Sequence, residues 1–279
     1  MAKPKDETLI STDGATIGYR TVGHGPSIIV VPGVLSIAAD FDDFASALAE
    51  TFTVHTIERR GRGRSAPQGT RYSIATECDD LRALREKTGS SYLFGHSYGG
   101  LIVLEAARNN PKLKRIAVYE PGVSVDRSMP VDWSSQYEGL LAQGSRLDAF
   151  VEFSAAVGPT RAQRTPRWLM KLLMPIMMKR HDLQQKLDLL ESNLREHQQI
   201  AHLNNTYMNY AQISVPSLLL CGGKSDLSWV SPAIDKLSQE VPIAQVKQFP
   251  RLNHFGPQQT GFRDVVQAVR DFFTIATTG

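Results

Sequence analysis

Gly95-His96-Ser97-Tyr98-Gly99-Gly100 sets one hydroxyl between glycines. The apolar run Tyr92-Leu93-Phe94 precedes it and the helix-like run Leu101-Ile102-Val103-Leu104-Glu105 follows it. This is the G-x-S-x-G spacing of a sharp strand-to-helix turn that lifts a serine hydroxyl off the top of a sheet. Small neighbours relieve crowding at such a turn, and the N-terminus of the following helix favours negative charge developing beside it. A glycine-rich turn carrying an incidental serine is the bland alternative, and the strand before and helix after weigh against it. A serine hydroxyl attacks only when a base takes its proton, and histidine suits that task near neutral pH. Of the seven histidines, His254 alone follows the last strand-like run and stands just before a C-terminal helical run. His55, His181, His197 and His202 show no metal-ligand spacing, so no metal and no cofactor are expected.

A histidine in that role needs a carboxylate to orient it and to stabilise its cation. Two carboxylates stand at the ends of strand-like runs. Asp226 follows Ser217–Cys221 in Gly223-Lys224-Ser225-Asp226, and Glu120 ends Arg115–Tyr119 in Tyr119-Glu120-Pro121-Gly122.

The elements that must position these groups alternate along the chain. Strand-like runs are Thr16–Arg20, Ser27–Val31, Thr53–Ile57, Ser91–Phe94, Arg115–Tyr119, Ser217–Cys221 and Val246–Phe249. Helical patterns are Phe41–Glu50, Ala75–Lys87, Gly99–Asn109 and Phe262–Phe273. Continuous apolar runs suit strands covered on both faces, and strand–helix alternation predicts an α/β fold with a doubly wound, mostly parallel sheet. Ligands of such sheets bind at the carboxyl ends of the strands. The rhythm breaks over 123–213, which holds helix-like segments and no good strand. That stretch is expected to be a helical cap inserted into a core made of 1–122 and 214–279.

The chain resembles the α/β-hydrolase superfamily over nearly its whole length. Besides the serine turn, Gly23 to Gly33 resembles the strand entering the family's oxyanion loop, with Pro32 where His is usual. Glu58-Arg59-Arg60-Gly61-Arg62-Gly63-Arg64-Ser65 resembles the D-x-R-G-x-G-x-S turn, with Glu58 for Asp. Leu252-Asn253-His254-Phe255 resembles the histidine loop, with Asn253 for Gly. The resemblance implies Ser97 as nucleophile and His254 as general base. It favours Asp226 as the acid, because most relatives carry theirs on that loop; Glu120 matches a minority pattern and is the alternative. Two backbone amides must face the tetrahedral oxygen, and Tyr98 and Val34 are the expected donors.

In the expected cap, Trp168 and Met174 are candidate substrate contacts, against the plainer alternative that they pack cap onto core. Arg161, Arg164, Arg167, Lys179 and Arg180 are expected to form a solvated rim, with attraction of an acidic substrate as the alternative. The implied activity is hydrolysis of an ester or lactone of a small to medium apolar molecule through an acyl-enzyme. The rivals are a carbon–carbon bond hydrolase or perhydrolase on the same groups, or a small-molecule receptor on the same fold.

Composition narrows the rest. A formal net charge of +3 over 279 residues does not call for nucleic acid. Met1–Glu7 is charged and lacks the apolar core of a secretion signal, and no apolar run reaches the ~20 residues of a membrane span. Two cysteines, Cys78 and Cys221, are too few for a disulfide framework and read as reduced thiols. A cytoplasmic protein with a small-molecule substrate and neither nucleic-acid nor membrane partner is expected; its oligomeric state is unknown.

Overall fold

The computed structural model describes residues 3–259 and 261–275. Eight strands form one sheet: β1 (Lys5–Ile10), β2 (Thr16–Gly23), β3 (Ser27–Val31), β4 (Thr53–Glu58), β5 (Tyr92–His96), β6 (Arg115–Tyr119), β7 (Ser217–Gly222) and β8 (Ala244–Phe249). Their order is β1-β2-β4-β3-β5-β6-β7-β8. β2 runs antiparallel to both β1 and β4, and every pairing from β4 to β8 is parallel.

The period-2 alternation of strand side chains divides the core in two. Ile29, Val31, Leu93, Ile116, Val118 and Leu219 face one layer. That layer contains α2 (Ile74–Thr88), α3 (Tyr98–Ala107) and α10 (Val230–Glu240). Ile28, Val30, Phe94, Ala117, Tyr119, Leu218 and Leu220 face the other. There they meet α1 (Asp42–Leu48) and α11 (Phe262–Thr274). Each fully buried Leu, Ile, Val or Phe of these layers contributes about 1.5–3 kcal/mol relative to exposure. The two-sided burial explains why the central strands read as unbroken apolar runs.

Three elements depart from the sequence reading. Helix α10 matches none of the expected helical patterns, though its Val230, Ala233, Ile234 and Leu237 are buried. β1 is polar and largely exposed, so it carries no apolar signature; it is held by pairing with β2. β8 is an edge strand whose central residues are exposed rather than a covered one, because nothing pairs beyond it in the sheet.

Between β6 and β7 lie six helices: α4 (Ser134–Ala142), α5 (Arg146–Val157), α6 (Thr160–Arg164), α7 (Arg167–Met177), α8 (Arg180–Asp188) and α9 (Leu190–His202). They carry their own cluster, with Trp133, Tyr137, Phe150, Leu190 and Leu194 buried together and Leu35 of the core packed into it. Pro166 caps α7, and Pro175 lies inside its last turn without ending it. Both cysteines are unbridged.

Candidate active site

Ser97 stands between β5 and α3 with φ 55° and ψ −123°, a backbone conformation rarely adopted by a residue with a side chain. It is clamped there. Its amide donates to Tyr119 O at 3.0 Å, and its carbonyl accepts from Gly100 N and Gly122 N, both at 2.8 Å. A Cβ on Gly99 would strike the carbonyl of Val31, and one on Gly33 would lie 2.8 Å from Ser97 Cβ. The glycines therefore let β3, its loop and the serine turn close on one another. Leu35 (φ 51°) and Glu120 (φ 42°) are also in the left-handed region, so three of the seven such non-glycine residues among those described surround this turn.

His254 reaches the same place from the loop after β8. Its Nδ1 lies 2.7 Å from Glu120 Oε2. The Glu120 side chain is fully buried and accepts two more hydrogen bonds, from Gly222 N at 2.8 Å and Ser225 Oγ at 2.9 Å. An acceptor at Nδ1 fixes the neutral imidazole as the Nδ1–H tautomer and leaves Nε2 unprotonated. The ring lies edge-on to Trp229 at a centroid distance of 5.4 Å. Two carbonyls of the loop are tied to strand ends: His96 Nε2 donates to His254 O at 2.8 Å, and Tyr119 Oη donates to Asn253 O at 2.7 Å. Asn253 also steadies the turn it occupies in place of glycine, its Oδ1 accepting from Phe255 N at 2.9 Å. His96 is buried, and burial first, then His254 beside it, hold its basicity well below the ordinary histidine range. It is therefore a neutral donor at Nε2.

The carboxylate on His254 is thus Glu120, and the expectation of Asp226 is corrected. Asp226 is exposed, and its Oδ1 accepts from Thr160 Oγ1 at 2.6 Å, at the start of α6. Gly222 and Ser225, which precede Asp226 on the same loop, supply donors to Glu120 instead.

Val34 follows Gly33 on the loop after β3, and Tyr98 is the first residue of α3, where a backbone N–H has no partner within the helix. One buried side chain, which no local pattern singles out, braces both segments. Arg59 Nε donates to Pro32 O at 2.9 Å and Nη2 to Gly33 O at 2.7 Å, while its guanidinium lies 5.1 Å from the Tyr98 ring centroid. Its charge is met by Glu77 of α2 at 3.1 Å and by Glu196 of α9 at 2.9 Å. Glu196 is fully buried and also receives Arg62 at 2.8 Å and Gln68 at 3.1 Å; Arg62 Nε in turn holds Ser36 O at 2.8 Å. Arg59 and Arg62 keep the Glu196 carboxyl below the ordinary range despite its burial, whereas burial pushes that of Glu77 up. No local spacing links residues 59, 77 and 196, so only the folded chain brings them together. The turn after β4 holds itself in a similar way: Glu58 accepts from Arg64 N at 2.7 Å, in the place where relatives carry Asp.

The two insertion residues expected at the substrate diverge. Met174 is half-buried against the insertion's own cluster. Trp168 is 69% exposed and points away from that cluster, because the opposite face of α7, through Met170, is the one packed inward. Met174 thus packs within the insertion's cluster, and Trp168 stays exposed. No cluster of three or more metal-binding side chains occurs among the described residues.

The strand order, the serine turn and the histidine loop define an α/β hydrolase. The profile of the alpha/beta hydrolase family matches residues 28–268, and the chain belongs to that family. Over 117 residues it is 35% identical to the uncharacterized hydrolase YraK of Bacillus subtilis (strain 168), covering 40% of this chain and 43% of that one. It is 32% identical over 121 residues to N-formylmaleamate deformylase of Pseudomonas putida, covering 41% of this chain and 45% of the relative. The chain thus matches less than half the length of these curated relatives. An α/β hydrolase from Sphaerobacter thermophilus superimposes with a TM-score of 0.81 at 28% identity, over 96% of this chain and 100% of the other.

Proposed function

We propose that this hydrolase works through a serine acyl-enzyme. The observation that carries the reading is the 2.7 Å contact between His254 Nδ1 and the buried carboxylate of Glu120, beside a serine held in a strained turn. In this reading Ser97 Oγ attacks a carbonyl carbon while His254 Nε2 takes its proton. Glu120, met by three donors, keeps the imidazole in the productive tautomer and stabilises its cation. The amides of Val34 and Tyr98 receive the oxyanion. The imidazolium then protonates the leaving group, and water repeats the sequence to release the acid.

The favoured substrate is an ester or lactone of a small to medium apolar molecule, with residues 123–213 acting as a cap. A second reading comes from two partial relatives, named N-formylmaleamate deformylase and 2-(acetamidomethylene)succinate hydrolase. Both names point to cleavage of a carbon–nitrogen bond in an acidic molecule. A panel of p-nitrophenyl esters, aliphatic lactones, N-acyl enamides and vinylogous diketones separates these readings, with Ser97→Ala as the blank. Ester or lactone turnover that Ser97→Ala abolishes supports the first. Turnover confined to enamides supports the second, and confined to diketones the carbon–carbon alternative.

A further inference from the structure

Helix α7 is apolar on two sides, and only one of them is used. Met170 is buried and Met174 half-buried against the insertion's cluster. On the other side stand Trp168, Leu172 and Ile176, which are 69%, 58% and 74% exposed. Their four-residue spacing lines them up along one face. These three are among the ten exposed large apolar side chains described in the chain, yet they share one eleven-residue helix. Single exposed apolar residues are ordinary; a contiguous group marks a contact surface.

Charge indicates what meets it. From Pro159 to His181 there are six basic residues, Arg161, Arg164, Arg167, Lys171, Lys179 and Arg180, and no acidic one. The whole chain has a formal net charge of +3, so the remainder is net negative. Arg167 is paired with Glu152 and Lys171 with Asp148. The other four are exposed and have no ion pair among the described residues. They sit in front of the apolar line, on α6, and behind it, at Lys179 and Arg180. A helix with Trp, Leu and Ile along one line and cations at both ends suits the interface of an anionic bilayer, where the rings and aliphatic groups enter the headgroup boundary. A two-fold contact with a second copy would set the same basic strip against itself, which charge disfavours. No helix of the described chain is long and apolar enough to cross a membrane, so the contact would be peripheral.

We propose that α7 and its basic flanks dock this protein on an anionic lipid surface. The expected solvated rim thus becomes a headgroup-binding frame around an apolar line that the sequence did not reveal as outward-facing. The docking does not depend on the serine chemistry.

The test is co-sedimentation of the full chain with phosphatidylcholine vesicles and with vesicles that also contain phosphatidylglycerol. Tryptophan emission is followed in parallel, since Trp133 and Trp229 are buried and Trp168 is not. Wild type should bind the anionic vesicles, release them at high salt and shift its emission to the blue. Trp168→Gln/Leu172→Gln/Ile176→Gln should bind roughly tenfold or more weakly while melting like wild type. Exposed positions make such a variant safe for folding. Absence of binding at low salt would overturn the proposal, as would equal binding by the triple variant or equal binding to uncharged vesicles. A concentration-dependent dimer abolished by the triple variant, with no vesicle binding, would give the face to a second copy instead.

Discussion

Glu120 and Asp226 stand at the ends of neighbouring strands, and a conservative exchange at each separates their roles. Glu120→Gln keeps the shape of the side chain but offers His254 an amide in place of a carboxylate, and the amide can hold the imidazole in the wrong tautomer. In a triad of this logic the loss is on the order of 10⁴ in turnover. Asp226→Asn should leave turnover within a few-fold of wild type, because Asp226 is exposed and bonded to Thr160. Steady-state kinetics on the best ester of the panel checks both; a severe loss from Asp226→Asn with a mild one from Glu120→Gln would reverse the assignment. Ser97 and His254 stand out in the sequence because each sits in a local pattern, a glycine-bounded turn and a loop before the last helix. The acid was not. Both carboxylates are where a sheet of this kind places reacting groups, and the choice rests on the left-handed turn at Glu120 and on the partner Asp226 finds at Thr160.

At the scale of elements, α9 reaches the loop after β3 through two arginines. Glu196 carries no proposed reacting atom, yet it neutralises Arg59 and Arg62, whose donors hold the carbonyls of Pro32, Gly33 and Ser36. Glu196→Gln leaves two buried guanidinium groups short of charge, and breaking such a pair costs about 3–5 kcal/mol. In the fraction that stays folded the loop loses its brace. Turnover should fall roughly tenfold with KM little changed, a part of the 10²–10³ that deletion of a whole oxyanion donor costs. Thermal melts and kinetics on the same preparation check this; lost stability with unchanged turnover per folded molecule would confine Glu196 to a structural role. The central strands and α1, α2, α3 and α11 were legible from apolar periodicity. β1 was not, since a polar edge strand is defined by its pairing with β2 and not by burial. The helical insertion was legible as a break in rhythm, but which face of α7 turns outward was not, since the helix is apolar on both.

For the whole molecule, three buried histidines tie stability to pH. His55, His96 and His197 are all held below the ordinary histidine value of 6.5, chiefly by burial. The unfolded chain therefore takes up protons before the native one does. Their contribution is fully present above about pH 6.5 and is lost as the pH falls through the native values. Each proton taken up by the unfolded chain alone tilts stability by about 1.4 kcal/mol per pH unit. Urea unfolding between pH 8 and pH 5 should show stability level above about pH 6.5 and falling below it. His96→Asn should flatten part of that slope; an unchanged slope would mean that His96 titrates normally in the folded state.

The most direct measurement is the intact mass of the protein, and the site of modification, after treatment with a fluorophosphonate. Wild type should gain one adduct, mapped to Ser97. Labelling should vanish in Ser97→Ala, and it should be slowed by orders of magnitude in His254→Ala and in Glu120→Gln but not in Asp226→Asn. A wild-type protein that stays unlabelled, or an adduct that persists in Ser97→Ala, would contradict the account.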